Sequence, residues 1–415
     1  MSKTNNKFRN SSIDLAVIGG GPAGLAAAIS AAKLSKANNK NIQINIYESE
    51  NKLGKTILKT GNGRCNFSNY FIEENKGNLY NNAKFVNKVI DSCEQITKNK
   101  IYKIENNDEE VSAPLRMFED LGLSCYYDDE GRLFPYTNKA SSVVDVLRYE
   151  VEDLQIKTKC NQKLKSINFN EKYETFEIGF VSGEKISAKK VIVSSGILNF
   201  DNKLIKKSLI PYKYVLGPIK TDTKFINNLD GVKAHVKCTI FDGNKEQSFE
   251  IGEVLFRKYG LSGICIFNLS RFLNNSKQKI RIDFAPEDEL KDLVNLVKKR
   301  YKKIKRNNEK NINFERLFAG MVLPKIIKSI CKYTKVKEND VNAQNIEKIC
   351  FALKHFDLNG IGIVDEKQCQ VKRGGIDTSS LNPFTLEYKF MPGLYFAGEI
   401  VDVDGPCGGY NLYWA

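Results

Sequence analysis

The period of the apolar positions changes several times along this chain, and each change marks an element. Ile13–Ile18 is a short apolar run of β character. It is followed by a turn at Gly19–Gly24 and an alanine-rich helical stretch, Leu25–Leu34. Ile42–Tyr47 predicts a second strand. Helices are expected around 85–125, a hairpin over Tyr126–Pro135 about Asp129, Glu130 and Gly131, and another helix over Ser141–Leu154. Residues 155–195 alternate as strands do and end in the apolar run Val191–Val193. Residues 1–12 are polar and read as a frayed tail.

Beyond about residue 200 the character changes. Val232–Phe241 and Ser248–Phe256 alternate with period two, which predicts antiparallel strands of a second domain. Pro286, Glu287 and Asp288 open an amphipathic helix with Leu290, Leu293, Val297, Tyr301 and Ile304 on one side. Lys298, Lys299, Arg300, Lys302, Lys303, Lys305 and Arg306 lie on the other, read as a solvated face in preference to an RNA-binding one. From about 358 the chain is again apolar and glycine-rich, as though returning to its first domain. The expected division is a first domain over 1–200 completed by 358–415, a β-rich insertion over 201–283 and 344–357, and a small helical domain over 284–343.

Composition alters this picture little. A length of 415 residues allows two or three domains. The net charge of +15 invites a nucleic-acid partner, but Lys, Asn and Ile are abundant throughout, so an overall bias in residue usage explains it first. Ten cysteines without a Cys-x-x-Cys pair argue against a zinc ribbon or a secreted disulfide framework and favour a reducing, cytoplasmic setting, with no metal. Lys3, Lys7 and Arg9 before Leu15–Ala32 mimic a signal peptide, yet Gly19, Gly20, Gly21, Pro22 and Gly24 interrupt the apolar stretch, and no membrane association is expected.

The chemistry begins at that turn. Gly19-Gly20-Gly21-Pro22-Ala23-Gly24 fits G-x-G-x-x-G with glycines at 19, 21 and 24, between a strand and a helix. The first glycine permits the turn, the second lets a pyrophosphate approach the backbone, and the third lets helix and strand pack closely. The helix start offers free N–H groups and a positive dipole end. Glu48 closes the second strand, where a carboxylate can accept from ribose hydroxyls and disfavours a 2′-phosphate. The motif alone leaves NAD and FAD open.

Further segments narrow the choice. Gly54-Lys55 and Thr60-Gly61-Asn62-Gly63-Arg64-Cys65-Asn66 follow within one loop. Gly252-Glu253-Val254-Leu255-Phe256, Tyr259-Gly260-Leu261-Ser262-Gly263, Gly374-Gly375 and the stretch Gly393–Ala415 complete a pattern spread over nearly the whole chain. In these residues the chain resembles the bacterial flavoproteins known as HI0933-like or BaiN-like, NAD(P)/FAD-dependent or aminoacetone-oxidase-like oxidoreductases. The resemblance implies an α/β fold: a Rossmann-like FAD-binding core of the two-dinucleotide-binding-domains type, built from both chain ends, with an inserted β-barrel-like domain and a small helical domain.

It also implies site residues. Gly19, Gly21 and Gly24 would lie on the pyrophosphate, with Pro22 and Ala23 also among the cofactor-binding residues, and Glu48 on the adenosine ribose. Lys55, Thr60, Gly61, Asn62, Gly63, Arg64, Cys65 and Asn66 would run along the FAD. Gly398, Glu399 and Asp404 would sit near its ribityl-phosphate part, Gly408, Gly409, Tyr410 and Asn411 would approach the flavin ring, and Gly196 and Leu412 would also bind the cofactor. A helix start there would stabilise negative charge on reduced flavin.

The sequence departs from that family at Ser194-Ser195-Gly196-Ile197-Leu198-Asn199-Phe200, at Asn359-Gly360-Ile361-Gly362 and at Lys372-Arg373, which replaces smaller residues. Trp414-Ala415 falls within the first turns of the flavin-facing helix, so an end cut short is expected. Cys65 and Cys407 read as packing residues before redox thiols, and His235 as structural. His355 is a weak acid–base candidate, Arg64 an anion or salt-bridge partner, and Tyr259 a pocket candidate; no catalytic acid or base can be named. The expected activity is flavin-mediated hydride transfer to or from a small-molecule substrate, with NAD(P)H as a transient donor and nucleic acid not expected. Two alternatives stay open: an RNA-modifying or RNA-binding flavoprotein, and a non-catalytic FAD-binding redox sensor.

Overall fold

Four parallel strand ends converge in the computed structural model, which describes residues 12–96, 112–196, 202–306 and 312–415. The chain forms two units, residues 1–213 with 372–415 and residues 214–371. The expected tail over 1–11, the 97–111 part of the expected helical region and the divergent residues 197–200 lie outside the described residues.

In the first unit the strand Ile13–Ile18 pairs in parallel with Ile44–Tyr47 on one side and Lys185–Val193 on the other, with Ile18 opposite both Tyr47 and Val193. Lys157–Lys159 extends the sheet beyond Ile44–Tyr47. The far edge of Lys185–Val193 is shared. Its first half pairs antiparallel with Thr175–Phe180, and its last three residues pair in parallel with Leu394–Phe396. The C-terminal segment thereby enters the same sheet as the N-terminal strand. Alternation sends Leu15 and Val17 to a cluster with Leu25, Ile29 and Val144, and Ala16 and Ile18 to one with Phe176, Val191 and Phe396. Apolar cover on both faces is what a parallel sheet requires. This is the Rossmann-like core that the glycine turn predicts.

The expected hairpin forms from Cys125–Tyr127 and Arg132–Pro135, and the expected helix spans Ala140–Asp153.

The second unit contains a closed antiparallel barrel of six strands: Ile219–Thr221, Lys233–Asp242, Lys245–Arg257, Gly260–Ser262, Lys279–Asp283 and Phe356–Ile363. Val236, Cys238 and Ile240 alternate inward with Val254 and Phe256, so the period-two pattern reports a real inner face. The helices Leu290–Arg306, Pro324–Thr334 and Ala343–Lys354 contribute to the same apolar cluster as the barrel strands.

Two expectations about this region need correction. Residues 344–357, expected as a β-rich return, are mostly helix, because Ile346, Ile349, Cys350 and Leu353 recur at helical spacing toward the core. The glycine-rich stretch from 358 does not yet return to the first unit, which resumes at Lys372. Gly360 and Gly362 instead lie opposite Thr221 and Lys220 in the barrel's closing strand pair. A β-carbon on Gly360 would stand 3.0 Å from Leu273 Cδ1, so a close packing contact accounts for that glycine.

The helix Ala343–Lys354 is tied down at its end by one ammonium. Lys354 Nζ donates to Asp283 Oδ2 at 2.8 Å and to the carbonyls of Ala285 and Asp288 at 2.7 and 2.6 Å, using all three of its protons. The pair is largely buried, with side-chain exposures of 12% and 16%. Lys354→Met is expected to destabilise the protein by about 2–3 kcal/mol, because it strands a carboxylate and two carbonyls. Urea unfolding monitored by circular dichroism checks this, and an unchanged midpoint would refute it.

Candidate functional site

The glycine turn is walled on two sides and open on a third. Gly19 has φ +112°, and a β-carbon there would lie 2.7 Å from the Ser194 carbonyl oxygen. On Gly24 it would lie 1.9 Å from the Gly19 carbonyl oxygen. On Gly21 it would meet only Thr56 Oγ1, at 3.4 Å. The middle glycine of the motif therefore presents its backbone to open space at the start of the helix Pro22–Ala37. No acidic residue occupies that helix's first turn, so its positive end is uncompensated.

Glu48 braces the turn. Its Oε2 accepts from Gly20 N at 2.5 Å, while Oε1 accepts from Ser49 Oγ at 3.0 Å and Glu50 N at 2.7 Å. A carboxylate offers about four acceptor sites, so about one remains, on Oε2. Ser194 Oγ bonds the carbonyls of Ile18 and Gly19, each at 3.1 Å, and Gly54 N donates to Gly20 O at 2.7 Å.

The Thr60–Asn66 loop folds on itself through left-handed residues. Gly61, Asn62, Gly63 and Cys65 all have positive φ, and Thr60 Oγ1 donates to Ile57 O at 2.6 Å. Cys65 is buried, and that burial pushes its thiol up to about 11 against a weaker lowering by Thr60. A thiol held that high is a poor nucleophile at neutral pH, which fits packing. Arg64 is exposed and lies over the Phe134 ring at 4.5 Å, with no salt bridge among the described residues. Lys55 is exposed and pairs with Glu50 at 2.6 Å.

The C-terminal segment closes onto these parts. A β-carbon on Gly398 would stand 2.6 Å from Ala23 Cβ, and Trp414 Nε1 donates to Gly398 O at 3.1 Å. Asn69 Nδ2 donates to Gly408 O at 2.9 Å, and Tyr80 Oη donates to Tyr410 O at 2.7 Å. A β-carbon on Gly409 would collide with Ser68 O at 2.2 Å. Asn411 holds the segment's own turn, accepting from Gly405 N and donating to the carbonyls of Gly405 and Pro406. Leu412 packs against the helical side of the sheet.

The charged groups here are specialised. Asp404 is fully buried and takes a bidentate pair from Arg373, Nε to Oδ1 at 2.5 Å and Nη2 to Oδ2 at 3.0 Å. Glu399 Oε1 accepts from Lys372 N at 2.9 Å, yet burial holds its carboxyl above the usual carboxylate range. A β-carbon on Gly196 would stand 3.4 Å from Glu399 Oε2. Lys213 is pushed below the ordinary lysine range by burial and by Arg373, against the pull of Asp404.

Sequence-named residues thus gather in two contact sets: the glycine turn with Glu48 and Gly398, and the loop about Asn66 with Gly408–Asn411. Lys55 joins neither by any direct contact among these. His235 and Tyr259 belong to the second unit, as does His355, whose Nδ1 lies 3.0 Å from Phe351 O. Asn69, Tyr80, Lys213 and Asn81, whose Oδ1 accepts from Asp404 N at 2.6 Å, carry no motif. Ser194 and Arg373 stood out only as departures from the family, and of the Arg373–Asp404 pair only Asp404 was a candidate. The donor set fits a dinucleotide: an open glycine backbone, a helix start free of acids, and Asn66 Oδ1, buried without a hydrogen-bond partner.

Comparison with known proteins supplies the remaining context. A family model described as HI0933-like protein Rossmann domain matches residues 13–415. A 3-dehydro-bile acid delta(4,6)-reductase of Clostridium scindens is 26% identical, with 97% of this chain and 96% of that protein covered. A ribosomal RNA dihydrouridine synthase of Haemophilus influenzae is 24% identical, over 96% and 94%. Among solved structures, the open conformation of a flavocytochrome c3 fumarate reductase is 14% identical with a TM-score of 0.44, covering 99% of this chain and 77% of that one.

Two outcomes follow from the geometry. Gly24→Ala must move a backbone carbonyl to fit, so flavin content should fall at least about tenfold, whereas Gly183→Ala, at φ +89° in open space and outside the named site, should cost only about 1–2 kcal/mol and keep the flavin. Absorbance of the purified variants decides, and equal flavin content in both would contradict the role given to Gly24. Cys65 should resist iodoacetamide at pH 8 in the folded protein, about three units below its titration, and react only after unfolding. Peptide mapping by mass spectrometry reads this directly.

Proposed function

We propose, from the premise that this chain belongs to the HI0933-like family of FAD-dependent oxidoreductases, that it reduces a carbon–carbon double bond conjugated to a carbonyl. The names of two relatives support the reading. A 3-dehydro-bile acid delta(4,6)-reductase saturates ring double bonds in conjugation with a ketone, and a dihydrouridine synthase saturates the uracil double bond beside a carbonyl. Their substrates differ greatly in size, but the reacting group is common to both. When bound, FAD supplies two-electron chemistry, a hydride reaching one carbon of the double bond while a proton reaches the other.

The observation that carries the reading is the contact between the two chain ends, where Gly398 abuts Ala23 at the helix start and the Asn66 loop meets Gly408–Asn411. In this reading Gly21 and the first turn of Pro22–Ala37 hold the pyrophosphate, and the remaining acceptor site of Glu48 takes a ribose hydroxyl. Asn66 offers its unpartnered oxygen to a donor on the cofactor. Arg373 fixes Asp404 with two parallel hydrogen bonds, and burial holds the Glu399 carboxyl above the usual carboxylate range.

NAD(P)H is the proposed electron source, bound transiently. The acceptor is an enone on a small molecule or a uracil within RNA. The expectation against a nucleic-acid partner is weakened, since one relative is named for acting on ribosomal RNA.

Anaerobic titration tests this reading. NADH or NADPH should bleach the flavin bands, and a 4-en-3-one steroid or a uridine-containing ribosomal RNA should restore them with formation of the saturated product. Bleached bands that neither acceptor restores would sink the proposal. Bands that no donor bleaches would favour the redox-sensor alternative.

A further inference from the structure

The positive charge of this chain is not spread as a general bias in residue usage would spread it. Residues 284–355 hold seventeen Lys and Arg against nine Asp and Glu, a net of +8. More than half of the total of +15 thus falls in 72 of 415 residues. The concentration is sharpest on the helix Leu290–Arg306, with eight basic residues and only Asp292 against them.

An ordinary solvated helix mixes signs and pairs them at i,i+4. Here like charges stand three or four residues apart: Lys298 with Lys302, Lys299 with Lys302 and Lys303, Lys302 with Lys305 and Arg306. Such spacing is repulsive. The helix dipole accounts for Lys303, Lys305 and Arg306 in the last turn, but it does not reach back to Lys298, Lys299 and Lys302. Part of the set is committed internally. Lys298 pairs with Glu347, and Arg300 donates to the carbonyls of Leu317 and Ala319. Lys291, Lys299, Lys302, Lys303 and Arg306 are exposed and have no ion pair among the described residues.

The opposite side of the helix decides what kind of polyanion fits. Leu293 and Val297 are buried in the barrel-and-helix cluster, with Leu290, Val294, Tyr301 and Ile304 packed against it. Most of that apolar side is consumed by the fold, and Leu296 is the one large apolar side chain of this helix left exposed, too little to sink into a lipid surface. What remains outward is Lys291 and, from Lys299 to Arg306, a cluster of cations along roughly 10 Å of helix. Flexible lysines without fixed partners suit the repeated phosphates of a nucleic-acid backbone. We infer that the outward face of Leu290–Arg306 is an RNA-docking surface, engaging the phosphate backbone of the RNA whose uracil is reduced. This rests on the reductase reading for its purpose but not for its measurement.

The test uses the full-length flavoprotein and deproteinised ribosomal RNA in a filter-binding assay from 50 to 300 mM salt. The wild type should bind with an affinity that falls steeply with salt. Lys299→Glu/Lys302→Glu/Arg306→Glu should weaken binding by about tenfold or more and flatten the salt dependence. Lys299→Arg/Lys302→Arg, which keeps the charge, should bind as the wild type does. Flavin content and NAD(P)H-driven bleaching of the triple variant should be unchanged, which separates loss of docking from loss of fold. No binding by the wild type at 50 mM salt, or equal binding by the triple variant, would overturn the inference. So would preferential capture by vesicles of phosphatidylserine and phosphatidylcholine. A protein that binds RNA through this face yet restores no flavin bands with any acceptor would refute the reductase reading and leave the docking surface standing.

Discussion

The helix Pro22–Ala37 lies so close to the strand before it that a β-carbon on Gly24 would sit 1.9 Å from the Gly19 carbonyl oxygen. Most of the first unit is arranged around that approach. It turns the helix start toward the carboxyl ends of Ile13–Ile18, Ile44–Tyr47, Lys185–Val193 and Leu394–Phe396, where open α/β sheets take their ligands. It also leaves turn carbonyls and amides that helix and sheet cannot satisfy. Ser194, Gly54 and Glu48 satisfy them, each from a different segment. Gly398 then packs against Ala23, so the chain's last segment is held by the same contact.

Charge in this unit is rationed in keeping with burial. Asp404 has no exposed surface, and an unpaired carboxylate there would be costly, so Arg373 meets it with two parallel hydrogen bonds. Burial raises the pKa of Glu399 and outweighs the lowering by the Lys372 amide and the Lys372 charge. Folding therefore holds its proton more tightly than the unfolded chain does. This weakens the fold as pH climbs above the ordinary carboxyl range toward the raised value. Lys213 is shifted downward for the complementary reason.

Elements with a strong local period were legible from the sequence: the strand at 13–18, the hairpin about Gly131, the helix over 140–153, the alternating barrel strands and the amphipathic helix from 290. The glycine turn was legible because its chemistry is local. What escaped was long-range. Arg373 meets Asp404 across 31 residues and Tyr80 meets Tyr410 across 330, and neither spacing leaves a trace in local periodicity. Ser194 looked like part of a divergent segment, whereas its hydroxyl completes the turn. Residues 344–357 were misread because a β-rich context outweighed the helical recurrence of Ile346, Ile349 and Leu353, and the glycines near 360 were misread because a barrel closure uses the same residue as a nucleotide turn.

The total charge misled in a related way. A net of +15 over 415 residues is weak information, since a biased composition produces it without any partner. Position carries more. The relatives named for a bile acid and for ribosomal RNA each align over more than nine-tenths of this chain, so a shared fold cannot tell the two substrates apart. Discrimination has to come from surfaces that the cofactor does not constrain. The helix Leu290–Arg306 is such a surface: its inward residues are obliged to be apolar by the core, while its exposed residues from Lys299 onward were free to be mixed in sign and are all cationic. In the docking reading, the cluster of cations from Lys299 to Arg306 serves to hold the phosphates of a folded RNA and has no use for a substrate the size of a steroid.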